Sequence, residues 1–389
     1  MLYLGYSIFV IILTIGFAWM KRESIFSPMG ITASAWLFVF ILGSFFYESY
    51  FPFTDKIFLM WLCWFGLSSF CYLAISPGKS DKNLGPVKCM PFDYSMFLIL
   101  LILGLVYKTW EIGNIGPGSF LVNLRLATIK VTNDAPSIGL VGNFYPLIFS
   151  LFIFESFNAC KYNRRLRWLL WIWMLIFAVT TMGKFALITP VSAWIIIKHR
   201  RREINFRKLT LIAIAMILLM IAIHYSRATV DYKDTLLEVL SIYSYSPIIA
   251  LGELDVSGKL TEFAEYTFRF YYAIKYYFVG GIPPVETILN FVYVPVATNV
   301  YTVMQPFYTD HGFVGIIYGA LFYGLFYGLL HRYYLKGRQL AIICYAAFSI
   351  SLITQFLGET LITNFSGNLQ IIIAAILVVS LSRERKMCQ

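Results

Sequence analysis

Charge is the scarcest thing in this sequence. Only 13% of its 389 residues are Asp, Glu, Lys or Arg, where an ordinary soluble domain carries about 25%. That shortage excludes a single soluble domain, because the apolar remainder exceeds what one core can hide. Acids are scarcer than bases, 20 against 31. No Gly-rich phosphate loop of the Walker type is present, and no paired Asp motif that would hold a metal and a nucleotide-sugar diphosphate. Cysteine is sparse too. Cys63, Cys71 and Cys344 fall in apolar runs, and Cys89, Cys160 and Cys388 beside basic stretches. That distribution implies neither a disulfide framework nor a Cys-type metal site. No repeat of 20–50 residues or inverted-repeat pattern is visible.

What is there is apolar. Hydrophobic residues make up 59% of the chain, and the mean hydropathy is +0.72. They come in runs of roughly 17–22, the length that crosses a bilayer as a helix and satisfies its own backbone there. The runs predict an all-α, polytopic membrane protein with about eleven spans, near 2–20, 29–48, 57–76, 94–110, 139–158, 167–182, 185–198, 209–226, 312–331, 339–357 and 367–382. The first has no basic segment ahead of it and ends on Lys21-Arg22. It reads as a span rather than a cleaved signal. The whole chain, 1–389, is expected to form one integral membrane domain.

Basic residues set the orientation. Alternate connections hold Lys21 and Arg22; Lys79, Lys82 and Lys88; Lys161, Arg164, Arg165 and Arg167; the six from Lys198 to Lys208; Arg332, Lys336 and Arg338; and Arg383, Arg385 and Lys386. These are 21 of the 31 basic residues, accompanied by six acids. One side then carries +15 and the other −4 of the net +11. The positive side is the cytoplasm, so the N-terminus is expected outside and the C-terminus inside. The net charge reads as topology and gives no reason to expect nucleic acid.

Two outer connections are long, 111–138 and 227–311, and they are the expected functional region. A structureless loop of the second one's length is unusual, and its aromatic content argues for order. Glu262 to Lys275 reads as an amphipathic helix with Glu265 and Arg269 spaced i, i+4. The stretch from Pro247 to Leu254 reads as a segment that dips into the interface.

Basic residues outside run against the topology preference and need another reason. Arg125, Lys184, Arg227 and Arg269 are candidates to bind a phosphate or diphosphate headgroup, for which the guanidinium fork is suited. Lys130 and Lys275 lie on the same side. The competing reading is pairing with acids, as Asp231 with Arg227, or snorkelling to the interface. Before the ninth span, Asn299, Tyr301, Gln305 and Tyr308 combine rings and amides in the way a sugar ligand is held. An interfacial aromatic belt accounts for the Tyr equally well. Asp310 and His311 are the one adjacent acid–imidazole pair and the candidate general base; Asp310 also fits the N-cap of the ninth span. Glu253, Asp255 and Glu286 are further base candidates. Glycines at 312, 315, 319, 324 and 328 mark a helix-packing face first and a hinge second.

Those residues carry a resemblance. The segment from Pro295 to Gly312, with Asn299-Val-Tyr-Thr and Gln305-Pro-Phe-Tyr-Thr-Asp310, the Gly-rich span after it, the Gly183-Lys184 turn and Asn123-Leu-Arg125 together resemble the bacterial O-antigen polymerases of the Wzy type. These are also called oligosaccharide repeat-unit polymerases. The resemblance implies a GT-C-like membrane glycosyltransferase of the bacterial inner membrane. Its substrate would be an undecaprenyl-diphosphate-linked glycan. The growing glycan would pass to the terminal sugar of a second lipid-linked unit, and undecaprenyl diphosphate would leave. No cofactor or metal is implied. The implied partners are the lipid-linked glycan and membrane lipid, with room for a chain-length regulator protein. The first alternative is a flippase or transporter for the same lipid-linked glycan, which predicts ionisable residues deep in the spans. A second is an assembly scaffold, which needs no outer cations.

Overall fold

A computed structural model describes residues 1–75, 87–128, 137–158, 163–225, 235–254, 263–286 and 289–384. Sixteen α-helices account for most of them. In chain order they are α1 (Leu2–Met20), α2 (Pro28–Phe45), α3 (Asp55–Ile75), α4 (Ser95–Asn114), α5 (Phe120–Thr128), α6 (Leu140–Asn143), α7 (Tyr145–Asn158) and α8 (Arg164–Thr181). There follow α9 (Lys184–Arg200), α10 (Phe206–Tyr225), α11 (Leu236–Ser244), α12 (Ser246–Gly252), α13 (Arg269–Val279), α14 (Gln305–Leu335), α15 (Gln339–Ile353) and α16 (Phe365–Leu381). Helix lies over each of the eleven apolar runs. Five helices, α1, α2, α3, α4 and α14, are long and apolar enough to cross a membrane.

Local chemistry sets several boundaries. Ser27 caps α2 by accepting from the Gly30 amide, with Pro28 at the first helical position. Thr235 and Glu238 form a reciprocal capping box at the start of α11. Three segments depart from the sequence pattern. The amphipathic helix begins at Arg269; the described residues before it, 263–268, are turns, with Ala264 at φ 56°. Of the stretch from Pro247 to Leu254, expected at an interface, residues 247–251 are buried in α12, which packs on α11 and α3. The ninth apolar helix starts seven residues early, at Gln305, and breaks at His311 and Gly312, where Gly312 takes φ 59°. That conformation costs glycine little.

The described chain falls into two compact units, each assembled from separate stretches. The first comprises residues 1–81, 234–336 and 351–368. Its main seam is α14 against α3. The glycines open that seam: an added Cβ at Gly319 would lie 2.7 Å from Trp64, and one at Gly324 2.6 Å from the Ser68 carbonyl oxygen. Small residues let backbones approach, so the glycine stripe is a packing face. Beside it Trp36, Phe40, Trp61 and Phe65 form a buried aromatic block. Polar bonds cross the unit: Tyr50 Oη to Ser241 Oγ at 2.9 Å, and Val303 N–H to the Gln355 carbonyl at 2.7 Å.

The second unit comprises residues 82–233, 337–350 and 369–389. Here α4 packs on α8, and α7 on α8 and α9. At one end, β1 (Lys88–Cys89) pairs antiparallel with β4 (Arg383–Glu384). Asn158 accepts from the Lys88 amide at 3.0 Å, and Arg201 donates to the Phe157 carbonyl. Nearby, Glu155 is buried and takes the Tyr94 hydroxyl at 3.0 Å and the Asn163 amide at 2.9 Å.

Candidate functional site

In the first unit, the candidate residues gather where α14 begins. A short hairpin, β2 (Val292–Tyr293) with β3 (Ala297–Thr298), leads into it. Asn299 follows the hairpin and is half-buried. Tyr301 is buried and donates its hydroxyl to the Asn290 carbonyl at 2.9 Å. It therefore braces the hairpin and offers no open ring face. Gln305, also buried, donates to Thr309 Oγ1 one turn on, at 3.0 Å. Tyr308 is buried on the same turn, with the Lys56 ammonium 5.4 Å from its ring centre. Lys56 donates to the Gly252 carbonyl at 2.9 Å.

Asp310 ties this end of α14 to the chain ahead of α13. One carboxylate oxygen accepts the Tyr266 amide at 3.0 Å and the other the Thr267 amide at 2.7 Å. Its side chain thus caps a distant turn and is not the N-cap of its own helix. Burial first, then the Asp310 and Glu265 carboxylates, raise the Tyr266 phenol above its ordinary range. Tyr301 is raised by burial and by Tyr266. Both phenols stay neutral and able to donate at physiological pH. His311 sits in the break of α14 with its ring 5.2 Å from Phe263. Among the described residues no hydrogen bond joins the Asp310 carboxylate to the His311 imidazole. Two residues beyond the capped turn, Arg269 opens α13 and donates from Nε to the Val285 carbonyl at 2.6 Å.

In the second unit, Asn123 organises the turn after α4. Its amide oxygen accepts from the Gly118 N–H at 2.9 Å and its amide nitrogen donates to the Gly113 carbonyl at 3.0 Å. That staple seats α5, whose Leu124 packs with Ile112 and with Met182, the left-handed residue that ends α8. Thr109 and Thr180 hydroxyls meet at 2.6 Å just below. Arg125, half-buried, follows Leu124; Lys184 opens α9 two residues after Met182. One apolar cluster therefore joins α5, which carries Arg125, to the residue that ends α8, two positions before Lys184. The Lys184 side chain, and the residues Arg227, Lys130, Asp231, Asp255 and Glu262, lie outside what is described.

Sequence reasoning missed a polar seam in the first unit. Gln355 is buried; its amide oxygen accepts from Trp36 Nε1 at 3.0 Å and Trp64 Nε1 at 3.2 Å, and its amide nitrogen donates to Thr32 at 3.1 Å. Glu359, one turn further, accepts the Tyr323 hydroxyl at 2.5 Å and the amides of Leu361, Ile362 and Thr363 at 2.6–3.0 Å. At the far end of α14, buried His331 meets the Tyr72 hydroxyl at 3.0 Å. The available signal was Gln355 and Glu359 spaced i, i+4 after an apolar run, since polar groups there are costly unless paired. Comparison of the chain with protein-family models, with curated proteins and with solved structures gives no match.

Proposed function

We propose that this is a multi-pass inner-membrane glycosyltransferase that polymerises undecaprenyl-diphosphate-linked oligosaccharide repeat units on the periplasmic side, with the N-terminus periplasmic and the C-terminus cytoplasmic. Contacts within each unit support that topology. In the second unit, segments read as cytoplasmic meet one another: Lys88 with Asn158, Phe157 with Arg201, and Cys89 with Arg383. In the first, segments read as periplasmic do the same: Tyr50 with Ser241, Lys56 with Gly252, and Asp310 with Tyr266.

The observation that supports this function best is the cluster of Ile112, Leu124 and Met182, which packs the helix carrying Arg125 against the end of α8, two residues before Lys184. Two cations at one membrane edge suit a diphosphate, whose departure from the sugar they favour by neutralising developing charge. The start of α9 adds backbone N–H groups without a side-chain cap, a further preference for an anion. At the start of α14, the neutral Tyr266 phenol and the Asn299 amide provide donors for sugar hydroxyls. His311, in the break of α14, is the better-placed base, because both Asp310 oxygens already serve the 266–267 turn.

Arg125→Ala and Lys184→Ala test this reading. Both variants are expected to insert normally and to leave surface glycan as single repeat units, with long chains lost on a gel. A normal chain-length distribution in both removes the assigned role. The second reading is a lipid-linked-glycan flippase, which predicts ionisable residues deep in the spans; buried His331 and Glu359 lie near the end of α14 and beyond the end of α15. That reading requires lipid-linked units to accumulate on the cytoplasmic side of a deletion strain.

A further inference from the structure

Helix α13 carries an apolar, aromatic face that is uncovered among the described residues. Tyr271, Ile274 and Phe278 recur at i, i+3 and i+7 on one side of the helix, and Tyr277, Phe278 and Val279 are 82%, 77% and 80% exposed. Ile282, Phe291 and Tyr293 in the following loop are exposed as well. Soluble surfaces rarely gather so many large apolar side chains in one place. The helix is fastened through Tyr272, which is buried and donates its hydroxyl to the Phe263 carbonyl at 2.6 Å.

Its anchors fix the level at which α13 lies. The Asp310 carboxylate holds the turn just ahead of it to the start of α14. Phe270 packs on Phe365, the first residue of α16, with ring centres 5.4 Å apart. On the topology proposed above, both anchors are periplasmic ends of spans, so α13 begins at the depth where a bilayer changes from hydrocarbon to headgroups. Tyr and Phe on one face with Lys275 beside them are the composition of a helix lying in that layer. An open cleft of about 630 Å³, lined by Phe263, Phe268, Tyr271, Tyr272 and Lys275, lies on the same surface. The Lys275 ammonium stands 5.6 Å from the Tyr272 ring centre, where a lipid phosphate can approach it.

We infer that α13 is an interfacial helix whose exposed aromatic face is immersed in the outer leaflet, with the bilayer surface as its occupant. Helix α13 would thereby lie along the membrane instead of projecting into the periplasm. This rests on the proposed topology and not on the polymerase reaction.

The test places a photoreactive residue in the full-length chain, Phe278→p-benzoylphenylalanine, reconstituted in vesicles of equal parts phosphatidylethanolamine and phosphatidylglycerol. The same replacement at Phe322, exposed on the middle of α14, reports a lipid-facing span; at Arg202, exposed in the turn after α9, it reports water. After irradiation, mass spectrometry is expected to find phospholipid adducts at 278 within a few-fold of the yield at 322, and few at 202. Adducts at 322 with none at 278 overturn the inference and leave the topology standing. Adducts from 278 to a second copy of the chain overturn it in favour of a protein-covered face. Absence of lipid adducts at both 278 and 322 overturns the topology on which it rests.

Discussion

At the scale of single residues, Asp310 separates what a sequence signals from what a fold does with it. An acid beside a histidine at a loop–helix junction reads as a base or a cap, and both readings look only at neighbours in the chain. The carboxylate instead serves amides 43 and 44 positions away, a use that no local pattern encodes. Asp310→Asn keeps one acceptor oxygen and turns an N–H toward a backbone N–H, so the turn at 266–267 is expected to lose about 1–3 kcal/mol. Hydrogen exchange at the Tyr266 and Thr267 amides should then accelerate roughly tenfold or more, since about 1.4 kcal/mol is a factor of ten. If exchange there is unchanged while polymer is lost, the carboxylate is a base and not a staple. The spacing of Gln355 and Glu359 hinted at paired polar groups, but not at which side chains they meet: Trp36, Trp64 and Tyr323 are distant in sequence. Arg125 and Lys184 became candidates from the charge pattern alone, which sets cations on the side read as less positive apart without any knowledge of the fold.

At the scale of elements, apolar runs predict helices well because the bilayer requires each span to bond its own backbone. Every run that the sequence marks carries helix, and α1 has the same bounds, Leu2–Met20, as the run behind it. Periodicity was weaker where helices are short. It placed the start of the amphipathic helix at Glu262, whereas turns with Ala264 at positive φ occupy 263–268 and only Arg269 onward is helical. The glycine spacing on α14 was legible as a packing face, but its partner, α3, became identifiable only through contact. That seam gives a prediction of opposite signs. Gly324→Ala puts a Cβ 2.6 Å from a backbone oxygen that cannot step aside, and such overpacking costs about 1–3 kcal/mol. Gly66→Ala on the facing helix meets nothing within 4 Å and gains helix propensity of about 0.8–1 kcal/mol. Thermal unfolding in detergent should show a lower midpoint for the first variant and an equal or higher one for the second. Equal midpoints in both would mean that the seam yields to a methyl group.

At the scale of the whole molecule, the orientation drawn from basic loops is tested by cysteines that are already present. Cys89 lies on β1, paired with Arg383 on β4, so the chain just before α4 and the chain just after α16 must share one side of any membrane. The charge pattern assigns both to the cytoplasm independently, through Lys79, Lys82 and Lys88 on one hand and Arg383, Arg385 and Lys386 on the other. Cys160 and Cys388 fall on the same assigned side. Cys63, Cys71 and Cys344 lie within the apolar helices α3 and α15, where a charged reagent cannot follow. A membrane-impermeant maleimide applied to spheroplasts is therefore expected to leave the protein unlabelled until the membrane is permeabilised, after which Cys89, half-buried, becomes modified. Labelling of Cys89 from outside would invert every connection at once. It would place Arg125, Lys184 and the long loop in the cytoplasm, and the periplasmic polymerase reading would fall with the topology.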